Sequence, residues 1–599
     1  MKRLTMKRKP PYVLAILCVV VLLTWSAVAQ TAVDKVPVAS GFDGAVASVD
    51  VEASRVGIEV LHQGGNAIDA AVATAAALGV TEPFSAGIGG GGFMVIYRRD
   101  QDRVITLDGR EEAPAAVTPD LFRDPDDLEG GNLPFFPNRI SSGLAVGVPG
   151  TPLNWATALS RYGTFSLAEA LHGAIDLAEF GFTVDGTFAQ QVARNQERFS
   201  AFTSTSGLYL PNGAPPAVGS VFKNPDMANA YRLLADQGVN SFYRGDIAKA
   251  IVETVQSPPA VDEPPFKVYS GAMTLGDLDR YEVRVRPPVV SDYRGYKFYG
   301  MGLPSSGGIT VAQTLGMLES NDLGSLERSE ALHRIIEAER LAFCDRNTYL
   351  GDPEYVDAPV TGLLNPDYIA TFTLPERAAE PCTIPGNPLP YQTDPSPSLT
   401  QVPAAAGNSQ EGLSTTHLVT ADRFGNVVSY TLTIESTGGS GIVVPGYGFI
   451  LNNELTDFDT ALPHANAPEP GKRPRSSMAP TIAFAPDGRV LAFGSPGGST
   501  IITTVVGIAT NLIDFKMSLA DAIAAPRFSQ RNGLHTTFEE GLAAADIQSL
   551  ALLGHLSRFT SEIGAATGVE LFPNGTIQAA AEPNRRGGGA AMVVNPALD

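Results

Sequence analysis

The apolar positions of this chain recur with two periods, and the change from one to the other marks out its elements. Val56, Val60 and Leu61 share one face of a helix over 54–63, which Gly64-Gly65 ends. Asn66 caps a second, alanine-rich helix running to about Leu78. Helical spacing returns over 309–318, after Pro304-Ser305-Ser306-Gly307-Gly308. It returns again over 329–346, through Leu332, Ile335, Ile336, Ala342 and Phe343, and over 501–512. Gly147-Val148-Pro149-Gly150 precedes another helical stretch. Between these lie β-branched and aromatic runs joined by turn residues. Phe93 to Arg98 with Arg103 to Asp108 reads as one hairpin, and three more turn through Phe424, Asp487-Gly488 and Asn574-Gly575.

The hairpin through Phe424 organises the rest. Thr416 to Ala421 and Val427 to Thr433 are its strands, and Asp422 to Asn426 its turn. Thr415 and Thr433 are equidistant from Phe424, so antiparallel pairing sets them opposite each other, roughly 4.5–5.5 Å apart. Residues 394–414 are too rich in Pro, Ser, Ala and Gly to pack, a tether suited to cleavage between Ser414 and Thr415. A threonine hydroxyl needs a base to act as a nucleophile. A new N-terminal threonine carries one in its own α-amine, whose pKa is about 7.7–8.0. Alternatively, Thr-Thr simply opens a strand.

Five further segments carry candidate chemistry, each with a plainer alternative. Gly87 to Gly92 fits G-x-G-x-x-G, but the helix comes before the glycines and the strand after, the reverse of a dinucleotide site. A tight backbone crossing fits better. Arg110 leaves its strand beside Gly109, as a surface ion pair or as a fork for a carboxylate. The strand Val490 to Phe493 runs into Gly494-Ser495-Pro496-Gly497-Gly498-Ser499-Thr500 ahead of a helix. That is a plain turn or a set of free N–H groups for an oxyanion. Glu454 and Asp457 could hold an ammonium. Ser476 and Ser477, beside Arg473 and Arg475, could hold a carboxylate. Either cluster alone is an ordinary solvated loop; together they describe a pocket for a zwitterion.

With 599 residues, 44% hydrophobic and 18% charged, the chain is globular with ample core. Its net charge of -21 argues against nucleic-acid binding. Lys2, Arg3, Lys7, Arg8 and Lys9, an apolar run from Val13 to Trp25, and Ala27-Val28-Ala29 form an export signal over 1–29. The apolar run is short of the roughly 20 residues of a membrane anchor. Beyond the signal only Cys344 and Cys382 remain, which an oxidising compartment would allow to pair or leave free.

The Thr-Thr-His start at 415, Asn-Asn-Glu-x-x-Asp-Phe, Arg-Pro-x-Ser-Ser-Met and Gly-Ser-Pro-Gly-Gly-Ser occur in that order, and with them the chain resembles the gamma-glutamyltranspeptidases. The resemblance runs from about Asp50 to Arg585-Arg586-Gly587-Gly588-Gly589. It implies the α+β fold of the N-terminal-nucleophile hydrolases, a four-layer αββα sandwich of two antiparallel sheets between helices. It further implies a precursor that cuts itself into a large subunit, 30–414, and a small catalytic one, 415–599, which stay together as a heterodimer. The implied catalytic residues are Thr415, Thr433, Gly497 and Gly498. Arg110, Ser476 and Ser477 would grip the α-carboxylate of the donor, and Glu454 and Asp457 its α-ammonium. The donor would be glutathione or another γ-glutamyl compound, and the acceptor water or an amino-acid or dipeptide amine, with no metal or organic cofactor. The enzyme would be periplasmic or extracellular, without a stable membrane anchor.

Two departures bear on specificity. Glu435 stands where the family often has Asn, and as a substrate-binding residue could still face the donor's ammonium, with stronger charge but different reach; Gly438 stands where the family has an aromatic residue. The span from Asp457 to Ser476 is also short, implying an open cleft without a lid. The rival readings are a cephalosporin, glutaryl or poly-γ-glutamate acylase on the same fold, and an uncleaved exported binding protein.

Overall fold

The structure, a computed structural model, describes residues 35–393 and 414–597. The export signal and the tether up to residue 413 lie outside the described residues. Thirteen strands share one sheet: β1 Val38–Ser48, β2 Gly91–Arg98, β3 Arg103–Gly109, β4 Arg284–Arg286, β5 Val289–Tyr293, β6 Tyr296–Gly300, β7 Thr416–Asp422, β8 Val427–Thr433, β9 Thr481–Phe484, β10 Val490–Gly494, β11 Thr567–Leu571, β12 Ile577–Ala581 and β13 Ala590–Pro596. Their order is β4-β3-β2-β8-β7-β1-β12-β11-β10-β9-β6-β5, with β13 also on β1, and every pairing is antiparallel. Packed helices complete an α+β fold. All four hairpins expected from the sequence form.

The expectation of two separate sheets is corrected in one respect: hydrogen bonding runs unbroken from one half to the other. Strand β1 makes the join, pairing with β12 through Val38–Gly41 and with β7 through Gly44–Ala47. Between these stretches its pairing with β13 shifts register, where Asp43 and Gly44 take φ of 68° and 146°. An irregularity of this kind bends and twists a strand, which lets one strand serve both halves.

Strand alternation then sorts the apolar side chains into two cores. Met94, Ile96, Leu418, Val428, Tyr430 and Leu432 point to the helices α1 Val51–His62, α2 Ala67–Thr81 and α3 Thr151–Tyr162. Phe93, Val95, Val419 and Val427 point the other way. They meet Ile482, Leu491, Phe493 and Val569 of the second half, with α4 Gly307–Leu318, α5 Arg328–Tyr349 and α6 Thr500–Ile513 contributing to the same core. The halves also bond directly. Thr481 N donates to Ser429 Oγ at 3.1 Å, and Thr567 Oγ1 to the His417 carbonyl at 3.2 Å.

Asn66 caps α2 as expected, accepting from the N–H groups of Ile68 and Asp69 while Asp69 accepts from Asn66 N. Helix α2 is buried on every side, which its run of alanines allows. Helix α5 departs from its amphipathic reading. Glu337, Glu339, Arg340, Asp345 and Arg346 are buried along with its apolar face, because later segments of the chain cover the polar side. Cys344 of this helix is disulfide-bonded to Cys382, with Cα atoms 5.8 Å apart.

Candidate active site

The glycine-rich run makes the site by letting backbones cross. A Cβ on Gly89 would stand 2.1 Å from the Ile450 carbonyl oxygen, and one on Gly90 2.0 Å from that of Thr433. No side chain fits there, and the dinucleotide reading falls away. Asn452 fastens the crossing, its amide donating to the carbonyls of Gly89 at 2.7 Å and Gly147 at 2.8 Å. Its oxygen accepts from Gly147 N and Glu454 N. This asparagine so fixes the loop that carries Glu454 and Asp457.

At the start of β7 the expected register holds. Leu432 faces Thr416, so the next pair outward is Thr433 and Thr415, and the Thr415 hydroxyl donates to Thr433 Oγ1 at 3.1 Å. Thr433 Oγ1 also accepts from Glu435 N at 2.8 Å. Ser414 is fully buried, its hydroxyl donating to the Phe84 carbonyl and bonded to Ser85 Oγ, each at 3.0 Å. Ser414 is thus already packed in the core beside the expected cut. Thr415 has φ 115°, where a β-branched residue pays steric strain of about 1–3 kcal/mol. The Thr415 carbonyl accepts from Arg586 at 2.7 Å, which helps hold that conformation. Cutting ahead of Thr415 leaves it no φ to strain.

Thr415, Thr433, Glu435, Arg110, Glu454, Asp457, Ser476, Ser477 and Gly498 line one small cavity, with Met478 and Ile501. Residues 458–475 contribute nothing to its lining. The Arg110 guanidinium bonds Glu454 Oε1 and lies 2.5 Å from Asp457 Oδ2; it also donates to the Pro474 and Arg475 carbonyls. Glu111 approaches within 4.0 Å. Burial pushes the Glu454 carboxyl well up and that of Glu111 to about 7, with Arg110 opposing both shifts. One buried cation thus stands among three carboxyl groups, and burial favours the protonated form of both Glu111 and Glu454 against the pull of Arg110. Glu435 lies across the cavity with a φ of 77°, its carboxylate accepting from Asn453 Nδ2 and Ser436 Oγ.

The serines are held from outside the motif. Ser477 Oγ accepts from Arg346 of α5 at 2.5 Å, and the Ser476 carbonyl accepts from Ser306 N and Oγ. Arg473 and Arg475 do not supply the cavity's positive charge: they turn away to Asp108, at 2.7 Å, and Asp459, at 3.1 Å. The sequence did not single out Arg346, whose place in a helix interior carries no local sign of a site role. Gly497 and Gly498 take φ of 135° and 56°, and the Gly497 carbonyl accepts from Thr500 N and Oγ1. Gly498 borders the cavity, and Gly497 stands one residue behind it.

The gamma-glutamyltranspeptidase family model matches residues 53–592. The chain belongs to that family. It is therefore a self-processing enzyme of the N-terminal-nucleophile type, made as a precursor. The glutathione hydrolase proenzyme of Bacillus subtilis (strain 168) is 40% identical over 563 residues, covering 93% of this chain and 92% of that protein. Acylase ACY 1 proenzyme of Pseudomonas sp. (strain SE83) is 34% identical over 559 residues, 92% of this chain and 94% of that one. A crystal structure of cephalosporin acylase from Bacillus halodurans superposes with a TM-score of 0.79 at 27% identity, covering 95% of this chain and 99% of the other.

Proposed function

We propose that the cavity takes the γ-glutamyl group of glutathione or a related donor and that Thr415 transfers it. The observation that supports this reading is that Thr415 lines the same cavity as Arg110, Glu454 and Asp457. Self-cleavage begins when Thr415 Oγ attacks the Ser414 carbonyl carbon; the C–N bond breaks as the Thr415 nitrogen gains a proton, and water then hydrolyses the ester. The freed amine serves as base in the second reaction. Thr415 Oγ attacks the γ-carbonyl of the donor, the amide breaks, and the leaving amine takes the proton. Thr433 orients the hydroxyl, and the N–H groups of Gly497 and Gly498 stabilise the oxyanion. Water or an amino-acid or dipeptide amine then releases the glutamyl group.

Charge balance favours an amino-acid head group. A zwitterion entering between Arg110 and its two carboxylates gives its carboxylate to Arg110, Ser476 and Ser477, and its ammonium to Glu454 and Asp457. The site's net charge is unchanged. A glutaryl group brings only the carboxylate and leaves buried acids without a cation, a costly arrangement. The acylase relatives keep the glutaryl reading as the second one, and release of γ-glutamyl, glutaryl and α-glutamyl anilides, with and without glycylglycine, separates the two.

The protein is exported and works as two associated chains of about 385 and 185 residues. The two halves of its sheet, bonded through Ser429 and His417, form the inner pair of four αββα layers. Its cleft has no lid from residues 458–475 and admits larger γ-glutamyl compounds. N-terminal sequencing of the mature protein tests the whole scheme: a fragment beginning Thr-Thr-His is expected, and Thr415→Ala should leave one uncut chain. If that variant is still cut between Ser414 and Thr415, the mechanism fails.

A further inference from the structure

Arg198, in the short helix Gln196–Ser200, is buried with an unusual set of partners. Its guanidinium donates to Ser141 Oγ at 2.7 Å, to Asn195 Oδ1 at 2.6 Å, to the Thr437 carbonyl at 3.0 Å and to the Gly439 carbonyl. All four acceptors are neutral. Burial lowers the arginine to about 10, and the charge that opposes this is Glu435. The two carbonyls belong to the loop that leaves Glu435, which makes sharp turns at Gly438, Gly439 and Gly441, all at positive φ. The same short helix packs against Gly438, where an added Cβ would stand 2.9 Å from the Phe199 ring.

We infer that Arg198 is a positioning residue of the site: it fixes the loop that carries Glu435 and keeps that carboxylate negatively charged towards the substrate ammonium. This rests on the amino-acid reading of the cavity given above. Glu435 is faced by Arg198 from one side and by Glu454 from the cavity, with Arg110 and Asp457 further along the lining and the neutral Asn453 and Ser436 bonded to it. Arg198 is a cation outside the cavity lining whose charge acts on Glu435. It offsets the repulsion from Glu454 without competing for the ammonium. Without it, Glu435 would take up a proton at higher pH and lose its hold on the ammonium.

The test is a double-mutant cycle between Arg198→Gln and Glu435→Gln, read as KM and kcat for γ-glutamyl and glutaryl anilides across pH. In the cleaved enzyme, Arg198→Gln should raise KM for the γ-glutamyl anilide about tenfold, with kcat changed by less than about threefold. The rise should be steeper towards acid pH, and it should vanish in the Glu435→Gln background. Arg198→Lys, which keeps the charge, should restore most of the pH profile. Should Arg198→Gln fail to fold, Asn195→Asp sets a carboxylate against the guanidinium and should shift the profile in the same direction. Equal effects of Arg198→Gln in both backgrounds would overturn the inference alone. If Glu435→Gln leaves the ratio of the two KM values unchanged, the ammonium role of Glu435 itself is lost, and the inference with it.

Discussion

The Thr415 hydroxyl donates to the Thr433 hydroxyl oxygen at 3.1 Å, while that oxygen also accepts from Glu435 N at 2.8 Å. Thr433 is thereby fixed as an acceptor, aimed by the backbone of the residue two places on. Replacing it with Ala frees the Thr415 rotamer. Thr433→Ala should slow both self-cleavage and anilide release, the latter by about ten- to a hundredfold in kcat. Thr433→Ser should keep most of both. Conversion of precursor followed on a gel, alongside steady-state kinetics, checks this.

Gly497 should not tolerate a side chain. A Cβ there would meet Thr500 Oγ1 at 2.4 Å, and its φ of 135° is closed to other residues. Alanine would turn the Gly497 and Gly498 N–H groups away from the oxyanion. Loss of one such donor costs around 10²–10³ in kcat. Gly497→Ala should show that loss with KM nearly unchanged, whereas a fall confined to KM would count against the oxyanion assignment.

Arg110 does two jobs that a mutation can separate. It binds the head-group carboxylate, and it neutralises Glu454 and Asp457, both within hydrogen-bond reach. Arg110→Gln leaves those acids uncompensated, and losing one partner of a buried pair typically costs about 3–5 kcal/mol. Adding Glu454→Gln should recover much of the melting temperature without recovering the low KM. If the double variant bound γ-glutamyl donors normally, the carboxylate role of Arg110 would be refuted.

The hairpin register was legible because a tight turn fixes pairing arithmetically, and the crossing at Gly87–Gly92 because only glycine fits a closed approach. The cavity residues were legible as motifs, but not the direction in which Arg473 and Arg475 point. That is decided by Asp108 and Asp459, which lie elsewhere in the sequence. Nothing in Val38–Ser48 marks the strand that joins the two halves of the sheet; rich in Gly, Ala and Ser, it is set by neighbours on both sides. Arg346 and Arg198 were missed for a related reason. A buried arginine satisfied by distant carbonyls and hydroxyls has no local signature.

Acid stability should depend on His417. The imidazole is wholly buried between the halves of the sheet, with Nδ1 2.8 Å from Thr431 Oγ1, against Gly494, where a Cβ would stand 2.5 Å from the ring. Burial lowers its pKa from the ordinary 6.5 to about 3. A depressed histidine means that the unfolded chain binds the proton and the folded one does not. Folding is therefore undisturbed above pH 6.5 and weakens as the pH falls from 6.5 towards 3. His464 and His555, each lowered to about 4 chiefly by burial, act in the same direction and window. His417→Gln, which carries no such proton, should flatten the loss of melting temperature between pH 6.5 and 4 relative to the parent, even if it lowers stability at pH 7. A parallel displacement of the two curves, with no change of slope, would show that His417 is not the group whose protonation unfolds the protein.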